Sequence, residues 1–233
     1  NEIERKYLKK KFFILGTDKF GRDLLSRLII GSRVSISIGF VAVIISLILG
    51  VFFGSIAGFY GGCIDKIIVW LINVVWSVPT LLMVIAITLA LGKGFWQVFV
   101  AVRTNVWDEV ARLVRGLVKS IKEEYYVKAG VVLGFSRMRI LLYHILPMTI
   151  GPLIIISAAN FASAILMESG LGFLGIGAQP PMPSWGGMVK NHFNYLLLGK
   201  PYLTILPGLA IMSLVLSFMT LGNSLRDALY VKD

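Results

Sequence analysis

Cysteine and histidine are almost missing from this chain, which has one Cys and two His among 233 residues. A lone Cys63 cannot close an internal disulfide, and His144 and His192 are too few and too far apart in sequence to build a zinc cluster, so redox and metal chemistry are not expected. Charge is scarce as well, at 15% of residues. Catalytic signatures are also lacking. No G-x-x-x-x-G-K-[ST] occurs, so the polypeptide has no phosphate-binding loop of its own, and neither G-x-S-x-G nor H-E-x-x-H is present. Gly170-x-Gly172-x-x-Gly175 has the spelling of a dinucleotide fingerprint. It follows an apolar run and precedes a Pro-rich loop instead of joining a strand to a helix, and is set aside. Nothing near Asn1 has the layout of a signal peptide, and the missing initiator methionine leads us to expect processing or a boundary upstream.

What is abundant is apolar sequence. The chain is 57% hydrophobic with a mean hydropathy of +0.82, well above a water-soluble domain of this length. The expectation is an all-α, multi-pass membrane protein. The net charge of +11 could suggest nucleic acid, but the Lys and Arg cluster in loops beside apolar runs, a pattern of membrane topology. Nucleic acid is not an expected partner; the lipid bilayer is.

About 20 apolar residues cross a bilayer core, which places five spans near 34–60, 65–91, 95–114, 146–168 and 203–224. The first carries Gly50, Gly54 and Gly58, a small-residue stripe that lets a neighbouring helix approach closely. Pro79 in the second predicts a kink facing protein. The third is interrupted by Arg103, Thr104, Asn105, Asp108 and Glu109, so it either lines an aqueous path or leaves the bilayer early. With the C-terminus cytoplasmic, the inner loops hold ten Lys and Arg against three outside. This places the polar stretch 119–143, and a cytoplasmic loop at 116–145, inside. The segment 1–33 then lies outside despite its nine Lys and Arg, a conflict that a further span upstream would resolve.

Within that loop, Tyr126, Ala129, Gly130 and Leu133 fall on one stripe of a short helix. Gly134 supplies a helix stop and Ser136 an N-cap for a second helix running toward Pro147. The expected product is helix, tight turn, helix, able either to enter another protein's groove or to lie on the headgroups as a connector. Further on, Asn160 and Glu168 share a face of an apolar span, where Glu168 could meet a substrate's ammonium group or make an interhelical hydrogen bond. The external loop contains Gln179, Pro180 and Pro181, which fix an extended path. Trp185 follows them, either an anchor at the lipid boundary or a substrate contact.

Several blocks resemble one family. The run Tyr126 to Gly134, followed by His144-Ile145-Leu146-Pro147, resembles the EAA loop of ABC importer membrane subunits, with Lys128 at the usual glutamate, Gly130 at the second alanine and His144 at a common isoleucine. Gly16-Thr17-Asp18-Lys19-Phe20-Gly21-Arg22-Asp23 with Ser26-Arg27, Ala111-Arg112-Leu113-Val114-Arg115-Gly116, the stretch 170–186, Leu206-Pro207-Gly208 and Leu225-Arg226-Asp227-Ala228-Leu229 are similar to the second permease subunit of dipeptide and oligopeptide importers. The resemblance implies a type I ABC importer transmembrane fold of six spans, with the first absent here and the permease domain covering 34–233. It also implies no catalysis by this chain and a place in the cell inner membrane. The implied partners are a homologous permease, two cytoplasmic ATPase subunits that hold ATP and magnesium, and an external binding protein. Coupling to the ATPase falls on Lys128, Ala129, Gly130, Gly134, Phe135, Ser136, Leu146 and Pro147. The rival reading is a secondary transporter or channel driven by an ion gradient, which paired buried charges or inverted repeats would favour.

Overall fold

Two aspartates decide where the first long helix begins. In the computed structural model, which describes residues 12–92, 107–178 and 181–229, Asp18 folds the chain before that helix into a tight turn. Its Oδ1 accepts the backbone N–H groups of Phe20 and Arg22 at 2.8 and 2.9 Å, and Oδ2 takes the Arg22 guanidinium at 2.7 Å. Burial alone would raise the Asp18 carboxyl, but these N–H donors and the guanidinium outweigh it and hold it below the usual carboxylate range. Asp23 then caps α1 (Leu24–Tyr60) through the N–H groups of Leu25 and Ser26. The helix therefore starts ten residues before the expected span at 34. Residues 24–33 are part of it, instead of belonging to a separate external segment.

Along α1, small residues face neighbours. A Cβ built on Gly50 would lie 2.5 Å from Val110, one on Gly54 2.5 Å from Ala111 O, and one on Gly58 2.8 Å from Arg115 O. All three partners belong to α4 (Trp107–Lys122). The glycine stripe is thus a seat for a second helix running in the same direction, and it buries Val110, Ala111, Val114 and Val118 completely.

The second expected span is broken. α2 (Gly62–Trp76) and α3 (Thr80–Leu91) meet at 82° across Ser77, Val78 and Pro79. Pro79 has no N–H to continue a helix, so the predicted kink is a full break. It is exposed, with no cover from the described residues. Of the third expected span, 95–106 lie outside the described residues. The remainder forms α4, which continues to Lys122 with acidic residues in its first turn and lysines in its last, matching the helix dipole.

A carboxylate clasps α2 to α4. Asp65 accepts both Nε and a terminal nitrogen of Arg115, the latter at 2.8 Å, and Lys119 Nζ at 2.7 Å. Paired, bidentate guanidinium bonds of this kind are the strong ones. Asp65→Ala is expected to lower stability by about 2 kcal/mol, read as a lower thermal unfolding midpoint of the purified protein; an unchanged midpoint would show that the clasp contributes nothing.

α5 (Tyr125–Val132) follows α4, and then come a helical turn (Arg137–Arg139), a π-helix (Ile140–Ile145) and a 3-10 turn (Leu146–Thr149) leading into α6 (Ile150–Leu174). After α7 (Trp185–His192) the chain ends its described part in α8 (Tyr202–Leu229). α6 packs on α1 where Phe161 lies against Gly39, and on α8 where Phe161 stacks on Phe218 at 3.8 Å. Among the described residues, α1, the stretch Arg137–Leu174 and α8 are each long and apolar enough to cross a membrane, and α2 with α3 can form a fourth, bent span.

Candidate functional site

The loop expected to face the cytoplasm contains a rigid, helix-bounded tip. α5 is eight residues long and ends in a Schellman motif: Phe135 N–H reaches back to Gly130 O and Gly134 N–H to Val131 O, both at 3.0 Å. Gly134 has φ +78°, the left-handed conformation that this motif demands and that a side chain disfavours. Ser136 then accepts the N–H of Arg139 and starts the next helical turn. The helix, turn and helix expected from Gly134 and Ser136 are therefore present.

Of the expected stripe, Gly130 alone is buried. Val127 and Gly130 are the buried positions of α5, while Tyr126, Ala129 and Leu133 are exposed. Val127 enters a core with Phe59, Val114, Val118, Ile140 and Ile145, drawn from α1, α4 and the π-helix. Gly130 lies beneath the Phe135 ring, which a Cβ there would meet at 3.3 Å. Phe135 in turn carries the Arg139 guanidinium 4.3 Å above its centroid. These contacts fix the tip from behind.

Its outer surface is apolar without cover from this chain: Val132 is 88% exposed and Leu133 72%. In a loop otherwise so polar, such a patch marks an interaction surface. Lys128 is also exposed and pairs with Glu123 at 3.0 Å, an ion pair too solvated to stabilise the fold measurably. Leu146 and Pro147 open the 3-10 turn that joins the tip to α6, with Leu146 half-buried and Pro147 exposed. A four-residue turn, 133–136, and then unbroken helical structure from Arg137 join the tip to the span.

Over residues 50–230 the chain matches the family of the binding-protein-dependent transport system inner membrane component. It belongs to that family. The dipeptide transport system permease protein DppC of Alkalihalophilus pseudofirmus is 40% identical, over 92% of this chain and 70% of that protein. The glutathione transport system permease protein GsiD of Pectobacterium atrosepticum and the oligopeptide transport system permease protein OppC of Bacillus subtilis are each 37% identical over 92% of the chain. In fold, it is similar to a chain of the MetNI methionine ABC transporter in an inward-facing form, with a TM-score of 0.72 and 16% identity over 88% of this chain and 96% of that one. The permease thus has a type I ABC importer transmembrane fold and is a multi-pass membrane transport subunit, as the sequence blocks implied.

The remaining predicted positions separate. Asn160 and Glu168 are 3% and 0% exposed, and Ser35 Oγ donates to Glu168 Oε2 at 3.2 Å. Both are enclosed by the permease's own helices, and the Ser35 bond ties Glu168 to α1. Trp185 is neither in the external loop nor a lipid-boundary anchor. It begins α7, is buried, rests on Gly31 and donates Nε1–H to Leu28 O at 2.9 Å. Pro181 is exposed, and Gln179 and Pro180 lie outside the described residues. What sequence reasoning missed is the Asp65 clasp with Arg115 and Lys119; the acid beside a string of basic residues on α4 was the available signal.

Proposed function

We propose that the permease forms half of the translocation path of an ATP-driven importer for peptides in the cell inner membrane, and that the α5 tip is where an ATPase subunit grips it. One observation carries the docking reading: Val132 and Leu133 are exposed on a helix end that Gly134, Phe135 and the buried Val127 hold rigid. Its relatives named for dipeptide, oligopeptide and glutathione transport support peptides or peptide-like solutes as cargo. In this reading the partners are a homologous permease, two cytoplasmic ATPase subunits that bind ATP and magnesium, and an external substrate-binding protein. ATP binding changes the contacts the ATPase makes with the tip. Only such a difference in contact energy between two states can shift the equilibrium between inward and outward openings.

Leu133→Asp tests this. The side chain is exposed, so the fold of the chain is expected to survive, while a desolvated carboxylate at an apolar interface should reduce ATPase association and ATP-driven dipeptide uptake by at least about tenfold. Co-purification of the ATPase and uptake into proteoliposomes are the readouts. Uptake and association at the unsubstituted level would rule out docking at this tip.

A further inference from the structure

On the other side of α5, a cavity of about 420 Å³ opens at the end of α1, lined among others by Phe59, Tyr60, Lys122, Val127, Lys128 and Arg137. Of the coupling positions Lys128 and Phe135 line it, while Val132 and Leu133, the exposed tip, are not part of it. The lining combines two chemistries. Phe59 and Val127 back an apolar floor whose open surface is Val131 and Tyr60, the latter 44% exposed at the end of the span, as aromatic residues are at the membrane boundary. Around this floor stand three cations and one acid. Glu123 also lines the cavity and is paired with Lys128 at 3.0 Å, which leaves Lys122 and Arg137 without an ion-pair partner among the described residues.

Lys122 is pre-positioned. Its ammonium donates to Phe59 O at 2.7 Å, at the C-terminal end of α1, where the helix dipole favours a cation. That bond uses one of three N–H donors and leaves the others for a ligand. Two cations without a direct ion pair, Lys122 being only more distantly offset by Glu123, stand beside exposed apolar surface at the end of a membrane span, and together match one kind of ligand. We propose that this pocket binds the headgroup of an anionic phospholipid of the inner leaflet, its phosphate between Lys122 and Arg137 and its glycerol and first acyl carbons over Tyr60 and Val131. A free inorganic anion would satisfy the cations and leave Tyr60 and Val131 uncovered. The lipid satisfies both, and basic pockets at the cytoplasmic ends of spans recognise such headgroups. The inference rests on the membrane placement of α1 and not on the docking role of the tip or on the cargo, so either can fail without the other.

The intact complex, purified into phosphatidylcholine nanodiscs with and without phosphatidylglycerol, provides the test, with retained lipid counted by native mass spectrometry. Phosphatidylglycerol is expected to stay bound to the unsubstituted complex and to the control Lys200→Gln. With Lys122→Gln and Arg137→Gln combined, its affinity should fall by roughly thirty-fold, since each basic side chain near a surface contributes about 1 kcal/mol. Should the double variant fail to assemble, Arg137→Gln alone, whose side chain is exposed, should show a loss of about fivefold. Equal retention in the variants, or displacement of the lipid by inorganic phosphate at similar affinity, would overturn the proposal.

Discussion

Gly54→Leu is expected to abolish assembly of a folded permease. The first added carbon would lie 2.5 Å from Ala111 O, 2.8 Å from Val114 Cβ and 3.1 Å from Ala111 Cα. Two of those atoms are backbone, so no rotamer change can relieve the contact, and α1 and α4 must separate. In a bilayer helices associate through close packing and not through a hydrophobic drive, so a lost fit is not recovered by sliding to another apolar surface. The expected cost is above about 3 kcal/mol, the upper range for overpacking, against a total stability of order 5–15 kcal/mol. It falls on the same seam that holds Val127 and the α5 tip in place, so uptake should vanish with the fold. Gly116→Ala, on α4 with open space around it, is the control. Recovery and monodispersity of the detergent-solubilised complex, with the thermal midpoint, give the comparison; Gly54→Leu behaving like the control would show that the helices do not cross as described.

A single methyl at Gly186 is expected to do nearly as much. A Cβ there would press into Ser169 O and approach Ser169 Cα to 2.7 Å, while the facing Gly172 would meet Gly187 N at 2.9 Å if it carried a side chain. α7 and α6 therefore touch backbone to backbone. Gly186→Ala must lift α7 off α6, which also withdraws Trp185 from Leu28 O and from its seat on Gly31. We expect a loss of about 3 kcal/mol. Gly170→Ala, with nothing within 4 Å, is the matched control. Thermal unfolding of the two variants side by side decides the matter, and equal midpoints would contradict the close approach.

The contrast between these glycines shows what the sequence could disclose. Gly50, Gly54 and Gly58 repeat every four residues inside an apolar run, so their periodicity alone marks a helix seat. Gly134 and Ser136 were equally legible, because a helix stop followed by an N-cap is a local matter of residue type. Gly186 and Trp185 were not. Their partners, Ser169 on α6 and Leu28 on α1, belong to other elements, and a Trp beside a Pro-rich loop has the same local pattern whether it faces lipid or protein. The start of α1 was hidden for a different reason: Arg27 and Arg33 depress the apolar signal of residues 24–33, although Asp23 already announces the cap. Pro79 signalled an interruption but not its 82° extent. On α5, the periodic stripe named the helix, while the burial of Val127 was not legible, since eight residues make barely two turns and its partners lie on α1, α4 and the π-helix.

The π-helix Ile140–Ile145 lies between the α5 tip and α6. Such a segment holds slightly more chain per turn than the α-helix it interrupts. If it gave up one residue to ordinary winding, α6 would advance by about 1.5 Å along its axis and swivel by about 100°. Glu168 and Ser35, now 3.2 Å apart, would no longer face each other. A change of winding at this joint would therefore be felt deep in the span as a rotation of α6.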